Sequence, residues 1–275
     1  MKCCFLWLVV MLPACVMPMA HAQNQPDSQA QQAKTIAAAI QGDDPQAAQL
    51  AVKDIHALVQ SDPEPSVGYL HRYWLGALVS KGKFEEADEL ALEGILAAPW
   101  RTGDVEALEE RRTRIWLAAG KAKEALSHAH SLFNVVSLQG TERALILLTE
   151  CDKAVHGEDV PRLKRWRTEQ IRGATTRPVD QVEPTSSLVL DIPIDGSPYG
   201  QKIEQMVSDD EQTLLGKGNL LLLAGRPKEA RTVFQSLVDA GGDKNLNTDV
   251  ARAIRAEDGT VGRANGYMLD VYANR

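Results

Sequence analysis

Aromatic side chains are scarce in this chain: Phe, Trp and Tyr together account for 5% of its 275 residues, and Ala and Leu carry most of the apolar content. Sheet sandwiches draw on β-branched and aromatic side chains, so the shortage argues against one and favours helices packed closely through small residues. Basic charge is also in deficit, with a formal net charge of −7. That balance argues against a protein that coats nucleic-acid phosphates, and no nucleic-acid partner is expected. No His-Glu-x-x-His, Cys-x-x-Cys or calcium-loop pattern occurs, so neither a metal nor a cofactor is expected. Cysteine appears only four times, and Cys3, Cys4 and Cys15 all lie close to the N-terminus.

Those first residues differ from the rest. Lys2 precedes the apolar run 5–12, a Pro-containing stretch follows, and Ala20-His21-Ala22 stands before Gln23. This is the anatomy of a secretory signal: a charged start, a short apolar core and a small-x-small cleavage site. The core is too short to cross roughly 30 Å of hydrocarbon as an anchor. Lipoprotein processing at Cys15, after Leu12-Pro13-Ala14, is disfavoured by the proline, and membrane association is expected only if Cys15 is lipidated. The expectation is therefore an exported chain, cleaved after Ala22 and resident in the periplasm or cell envelope, or secreted. Only Cys151 would survive cleavage, so no internal disulfide could form and stability must come from packing. Cys151 sits in the apolar stretch 144–151 and reads as a buried small hydrophobe.

What the chain does possess is a recurring phrase. It reads Gly82-Lys83-Phe84-Glu85-Glu86-Ala87, then Gly120-Lys121-Ala122-Lys123-Glu124-Ala125, then Gly225-Arg226-Pro227-Lys228-Glu229-Ala230. Weaker versions begin at Gly42 and Gly157, giving intervals of roughly 40 residues, in the range of helical solenoids, with one longer gap before Gly225. Each part has a physical task. Glycine takes the left-handed conformation that closes one helix. Pro227, or Pro45 in the weaker copy, fits the first turn of the next helix without losing a hydrogen bond. The acids favour the positive end of that helix, and alanine lets two antiparallel helices approach. Behind the turn, Ala87, Ala91, Gly94, Ile95 and Ala98 form one stripe, matched by Ala230, Val233, Phe234, Leu237 and Val238. Ser208-Asp209-Asp210-Glu211 reads as a capping box opening the helix before the last copy.

On these residues the chain resembles the tetratricopeptide repeat family. The unit with Trp74, Leu75, Gly76, Leu78, Gly82, Phe84, Ala87, Gly94 and Pro99 carries the likeness best, followed by Gly218, Leu221, Gly225, Ala230, Phe234 and Leu237. The Gly120 unit lacks an aromatic after its turn, and the Gly42 and Gly157 units are degenerate. The resemblance covers roughly residues 28–172 and 201–242. It implies an all-α fold, in which TPR-like helix–turn–helix repeats form an α-solenoid interrupted by one Pro-rich linker. The expected order is a signal peptide (1–22), repeats (28–172), a linker or loop (173–200), a further hairpin (201–242) and a C-terminal helical cap (243–275). It also implies a concave face, built from the first helix of each unit, that holds a peptide or protein. By register, Tyr69, Arg72, Glu110, Arg114 and Asn219 line it, as protein-binding rather than catalytic residues.

Other features read blandly. His128 and His130 stand two apart and on a helix cannot share a metal. Ser80-Lys81-Gly82-Lys83 and Gly216-Lys217-Gly218-Asn219 match fragments of catalytic and phosphate-loop strings without their contexts. Glu85-Glu86 and Glu109-Glu110 are expected to be solvated, and the cationic stretch 161–167 reads as an amphipathic helix with Leu163 and Trp166 inward. The leading expectation is a non-enzymatic scaffold or adaptor. The alternative is an envelope enzyme or enzyme subunit with a site near the 173–200 loop, drawing on Asp191, Asp195 and Tyr199. A structural element of a larger envelope assembly is the third.

Overall fold

A computed structural model describes residues 25–157, 197–242 and 246–257, and every regular element among them is a helix. The expected signal segment 1–22 with Cys15, the stretch 161–167, Asp191, Asp195 and the tail after Glu257 lie outside the described residues. Helix α1 (Gln25–Gln41) pairs with α2 (Pro45–Ser61), whose start is capped by Asp44 accepting from the Gln46 amide at 2.9 Å. Helix α3 (Pro63–Tyr69) runs through a π turn (Leu70–Trp74) into α4 (Leu75–Ser80). Then come α5 (Phe84–Ala97), α6 (Thr102–Ala118), α7 (Ala122–Val135) and α8 (Leu138–His156). After the gap follow α9 (Ser197–Gln205), α10 (Glu211–Leu223), α11 (Pro227–Asp239) and α12 (Leu246–Glu257).

The recurring phrase gives one recurring turn. At Gly82, Gly120 and Gly225 the backbone φ is 71°, 77° and 70°. Each glycine amide donates to the carbonyl three residues back (Val79, Leu117, Leu222) at 3.0 to 3.1 Å. The next amide, of Lys83, Lys121 or Arg226, reaches the carbonyl five residues back (Leu78, Trp116, Leu221) at 2.8 to 3.0 Å. This double closure satisfies carbonyls that the helix end would otherwise leave unpaired. Ala87, Ala125 and Ala230 then donate to the carbonyls of Lys83, Lys121 and Arg226, and all three alanines are fully buried. Gly42 has no such turn, but Gly241 does: its φ is 83°, and Gly242 donates to Leu237. The capping box is shifted by two residues. Asp210, not Ser208, caps α10, accepting from the Thr213 amide at 2.9 Å, with Ser208 hydrogen-bonded to the cap.

Two apolar cores result. The larger one gathers Ile55, Trp74, Leu78, Leu90 and Leu108 from the first six helices. It is tied together where the Trp74 indole N–H donates to the Ala33 carbonyl at 2.9 Å. The smaller one joins α7 to α8 through Leu132, Phe133, Leu147, Leu148 and Cys151. Burial pushes the Cys151 thiol up to about 12, in keeping with its packing as a small hydrophobe in this core. Full burial of each such Leu, Ile or Phe contributes about 1.5–3 kcal/mol.

The C-terminal helices do not extend the row beyond α8. They fold back: Tyr199, Ile203, Leu220 and Phe234 belong to the larger core, and α10 and α12 pack on α7. Gly218 is the point of closest approach inside this hairpin. A Cβ there would lie 2.3 Å from the Phe234 ring, so α10 and α11 could not meet with any other residue in that place.

Candidate protein-binding face

Helix α6 is central to both the fold and the site, because charged residues occupy opposite sides of it. On one side the π turn, α6 and α8 lie side by side and leave an open face. Arg114 reaches Glu110 at 3.3 Å and also pairs with Glu150 on α8, while Arg143 approaches Glu110 at 3.9 Å. These pairs are solvated, with the Arg114 and Glu150 side chains 36% and 44% exposed. Each is worth less than about 1 kcal/mol and can be exchanged for a ligand's groups at little cost.

At the other end of the face stands the π turn, closed by the Leu75 amide donating to the Leu70 carbonyl. Tyr69, half-buried, lies 6.3 Å from the Tyr73 ring and 5.9 Å from Trp74, and Arg72 is exposed. His71 contacts Asp104 of α6 at 3.3 Å, and Arg101 takes the other Asp104 oxygen at 2.5 Å. Burial holds the His71 imidazole below its ordinary range; Asp104 opposes this, and the nearby positive charges of Arg72 and Arg111 reinforce it.

The structure thus brings Glu110 and Arg114 together and sets Tyr69 and Arg72 on the π turn that packs against α6. Arg111, exposed between the two groups, was not among the residues expected from sequence. Its signal was there, since it stands two helical turns after Asp104 on the same side of α6. Asn219 is not on this face. Only 3% exposed, it donates to the Pro99 carbonyl at 2.8 Å and to Thr102 at 3.0 Å, and accepts from Arg252. Its amide is fully engaged in fastening α10 to the start of α6.

The other side of α6 is sealed, and here the expectation for Glu109 is corrected: its carboxylate is not solvated but wholly buried. The reason is a set of partners from distant chain. Tyr199 of α9 donates to Glu109 and accepts from Arg112 at 2.8 Å. Arg112 also binds Asp88 at 2.8 Å and lies over the Trp116 ring. His128 Nε2 is 2.8 Å from Glu109, off the line of a good hydrogen bond, and its Nδ1 shares a 2.7 Å bond with Thr113. Burial alone would raise the Glu109 carboxyl, but Arg112, His128 and Tyr199 outweigh it and hold it at about 2. The Tyr199 phenol is driven up by burial and by the adjacent Glu109 charge.

One turn earlier, Glu106 accepts from Ser137 at 2.8 Å and meets Arg252 of α12 at 3.5 Å. Asp249 joins them, 3.4 Å from Arg252, its carboxyl raised by burial against the pull of that guanidinium. Both clusters clamp the C-terminal helices to α6, and the Asp88 end of the first borders an open cleft. Tyr199, the residue of the loop reading that falls among the described residues, is held there as a buried anchor in α9.

Two open clefts lie apart from the residues of this face: one of about 520 Å³ over the α4–α5 turn beside Phe84, Asp88 and Trp116, and one of about 420 Å³ between Trp100, Lys202 and Met206. Among the described residues no three His, Cys, Asp or Glu side chains are grouped to hold a metal ion, and no helix is long and apolar enough to cross a membrane. Compared with models of known protein families, with curated proteins and with solved structures, the chain matches none.

Proposed function

We propose that this chain is an exported, non-enzymatic scaffold of TPR-like helical hairpins that binds a peptide or protein on the face built by the π turn, α6 and α8. The observation that carries the reading is the contrast across α6. The charges that hold the fold together are buried, whereas those of the open face are paired loosely enough to be re-paired by a partner. The three equivalent glycine turns support the repeat architecture, because they set successive hairpins in one register. The N-terminal signal anatomy supports a mature chain that begins at Gln23 and works in the periplasm or cell envelope.

The test is affinity capture from the native envelope with the mature chain as bait. Arg72→Ala combined with Arg114→Glu is expected to lose the partner while far-ultraviolet circular dichroism stays unchanged. Capture that survives both substitutions removes this face from the proposal. The export reading is tested by intact mass and N-terminal analysis of the protein from its native cell: a start at Gln23 is expected, a lipidated start at Cys15 replaces cleavage after Ala22, and an unprocessed N-terminus overturns export.

A further inference from the structure

Arg252 carries its guanidinium into the joint where α12 closes on α6 and α10, and only the two terminal nitrogens are paired there. One meets Glu106 at 3.5 Å; the other donates to the Asn219 side-chain oxygen and lies 3.4 Å from Asp249. The Nε–H has no acceptor among the described residues, although the side chain is only 3% exposed. A buried donor left without a partner is costly, and folded proteins keep few of them.

Beside this guanidinium lies a cavity unlike the two open clefts. Thr102, Glu106, Asn219 and Arg252 form its polar walls, and apolar residues of α6, α7 and α10, Val105 and Val135 among them, form the rest. The room it leaves for the centre of a water molecule is about 10 Å³. That is the scale of a single water, which needs roughly 10–15 Å³. An apolar hole stays dry, whereas a polar one that offers roughly two to four hydrogen-bonding partners holds its water.

We propose that this cavity is the binding site of one structural water, which accepts from Arg252 Nε–H and donates to the Glu106 carboxylate and the Thr102 hydroxyl oxygen. The acceptor capacity is there. A carboxylate offers about four lone-pair positions, and Glu106 uses three, on the Ser137 amide, the Ser137 hydroxyl and Arg252. The Thr102 oxygen accepts from the Asn219 amide at 3.0 Å and has a second lone pair to give. The water completes the bonds of the guanidinium, so α12 docks on α6 without burying a bare donor. A larger ligand does not fit, and a monatomic anion is opposed by Glu106 and Asp249. The site lies on the sealed side of α6 and does not depend on the scaffold reading.

The test is a high-resolution crystal structure of the processed chain, with a second crystal grown in sodium bromide. A water is expected at about 2.7–3.2 Å from Arg252 Nε and from Glu106 or Thr102. A cavity without density overturns the inference, and so does an anomalous bromide peak, which marks an anion site instead. Oxygen-17 magnetic relaxation dispersion gives the solution check, because it counts long-lived internal waters. Val105→Ile, whose added methyl enters the cavity, should lose about one such water with no rise in Tm, since the displaced molecule takes its hydrogen bonds with it. An unchanged count, or a Tm raised by the filling of a dry hole, overturns the inference. Circular dichroism checks the fold; if Val105→Ile is misfolded, Val135→Ile on α7 is read in its place by the same criteria.

Discussion

The two sides of α6 use the same residue types to opposite ends. On the sealed side, Glu106, Glu109 and Arg112 are matched by Arg252, Tyr199, His128 and Asp88. On the open side, Glu110 and Arg114 are matched by Arg143 and Glu150. Glu109 and Glu110 are neighbours in the chain, yet one has no contact with water and the other is half-buried. The difference teaches that the role of a charge is set by what packs over it. A buried pair is costly to leave half-made, and so fixes which helices belong together. A solvated pair is nearly free to break, and so can be traded for a partner's charge.

Removing Glu109 is the strongest way to break this comparison. Glu109→Leu leaves the buried Tyr199 hydroxyl without an acceptor and Arg112 with Asp88 as its one remaining counter-charge, and should cost roughly 3 kcal/mol in urea denaturation. A loss like that of a surface substitution would mean the cluster is wetter than it looks. Acid titration should come next. The folded Glu109 carboxyl, at about 2, lies below its ordinary value of 4.5, so it stabilises the fold fully above pH 4.5. That contribution, about 3 kcal/mol, is lost as pH falls from 4.5 toward 2. Glu109→Gln should flatten this stretch of the stability profile. The end of the helix gives an intermediate effect. Gly120→Ala meets no neighbour within 4 Å but must keep a φ of 77°, so it should cost about 1–2 kcal/mol, and Gly82→Ala and Gly225→Ala the same. Unequal costs would show that the three turns are not equivalent. Arg114→Ala should have the smallest effect, under about 1 kcal/mol by thermal melting, because its partners remain solvated. A larger loss would erase the distinction between the two sides.

These cases also show what the amino-acid sequence can and cannot reveal. The helices and their glycine turns were legible because a left-handed closure is a demand on one residue, answered within five positions. Gly241 escaped because no basic–x–x–Glu–Ala phrase follows it. Tyr69, Arg72, Glu110 and Arg114 were chosen by the register of the resembling repeats, and all four keep some exposure on the π turn and α6. Glu109 was misjudged because Tyr199 is 90 residues away and reads as part of a polar linker. Asn219 was taken for a surface residue, when its partners Pro99 and Thr102 arrive through the fold-back of α10. The π turn left no readable mark in the apolar spacing of 67–78, because it is shaped by packing against α1, α5 and α6.

The fold-back of the last helices has a consequence for the order in which the protein can be built. During synthesis α6 emerges long before its partners: Glu109 precedes Tyr199 by 90 residues, and Glu106 precedes Arg252 by 146. Until then Glu109 has Arg112 and His128 but lacks Tyr199, and Glu106 has Ser137 but lacks Arg252, so burial of these carboxylates is only partly compensated. The sealed side of α6 is therefore complete only once α9 and α12 have docked. The closing step of the fold thus belongs to α9 and α12, whose Tyr199 and Arg252 cover the last bare charges of α6.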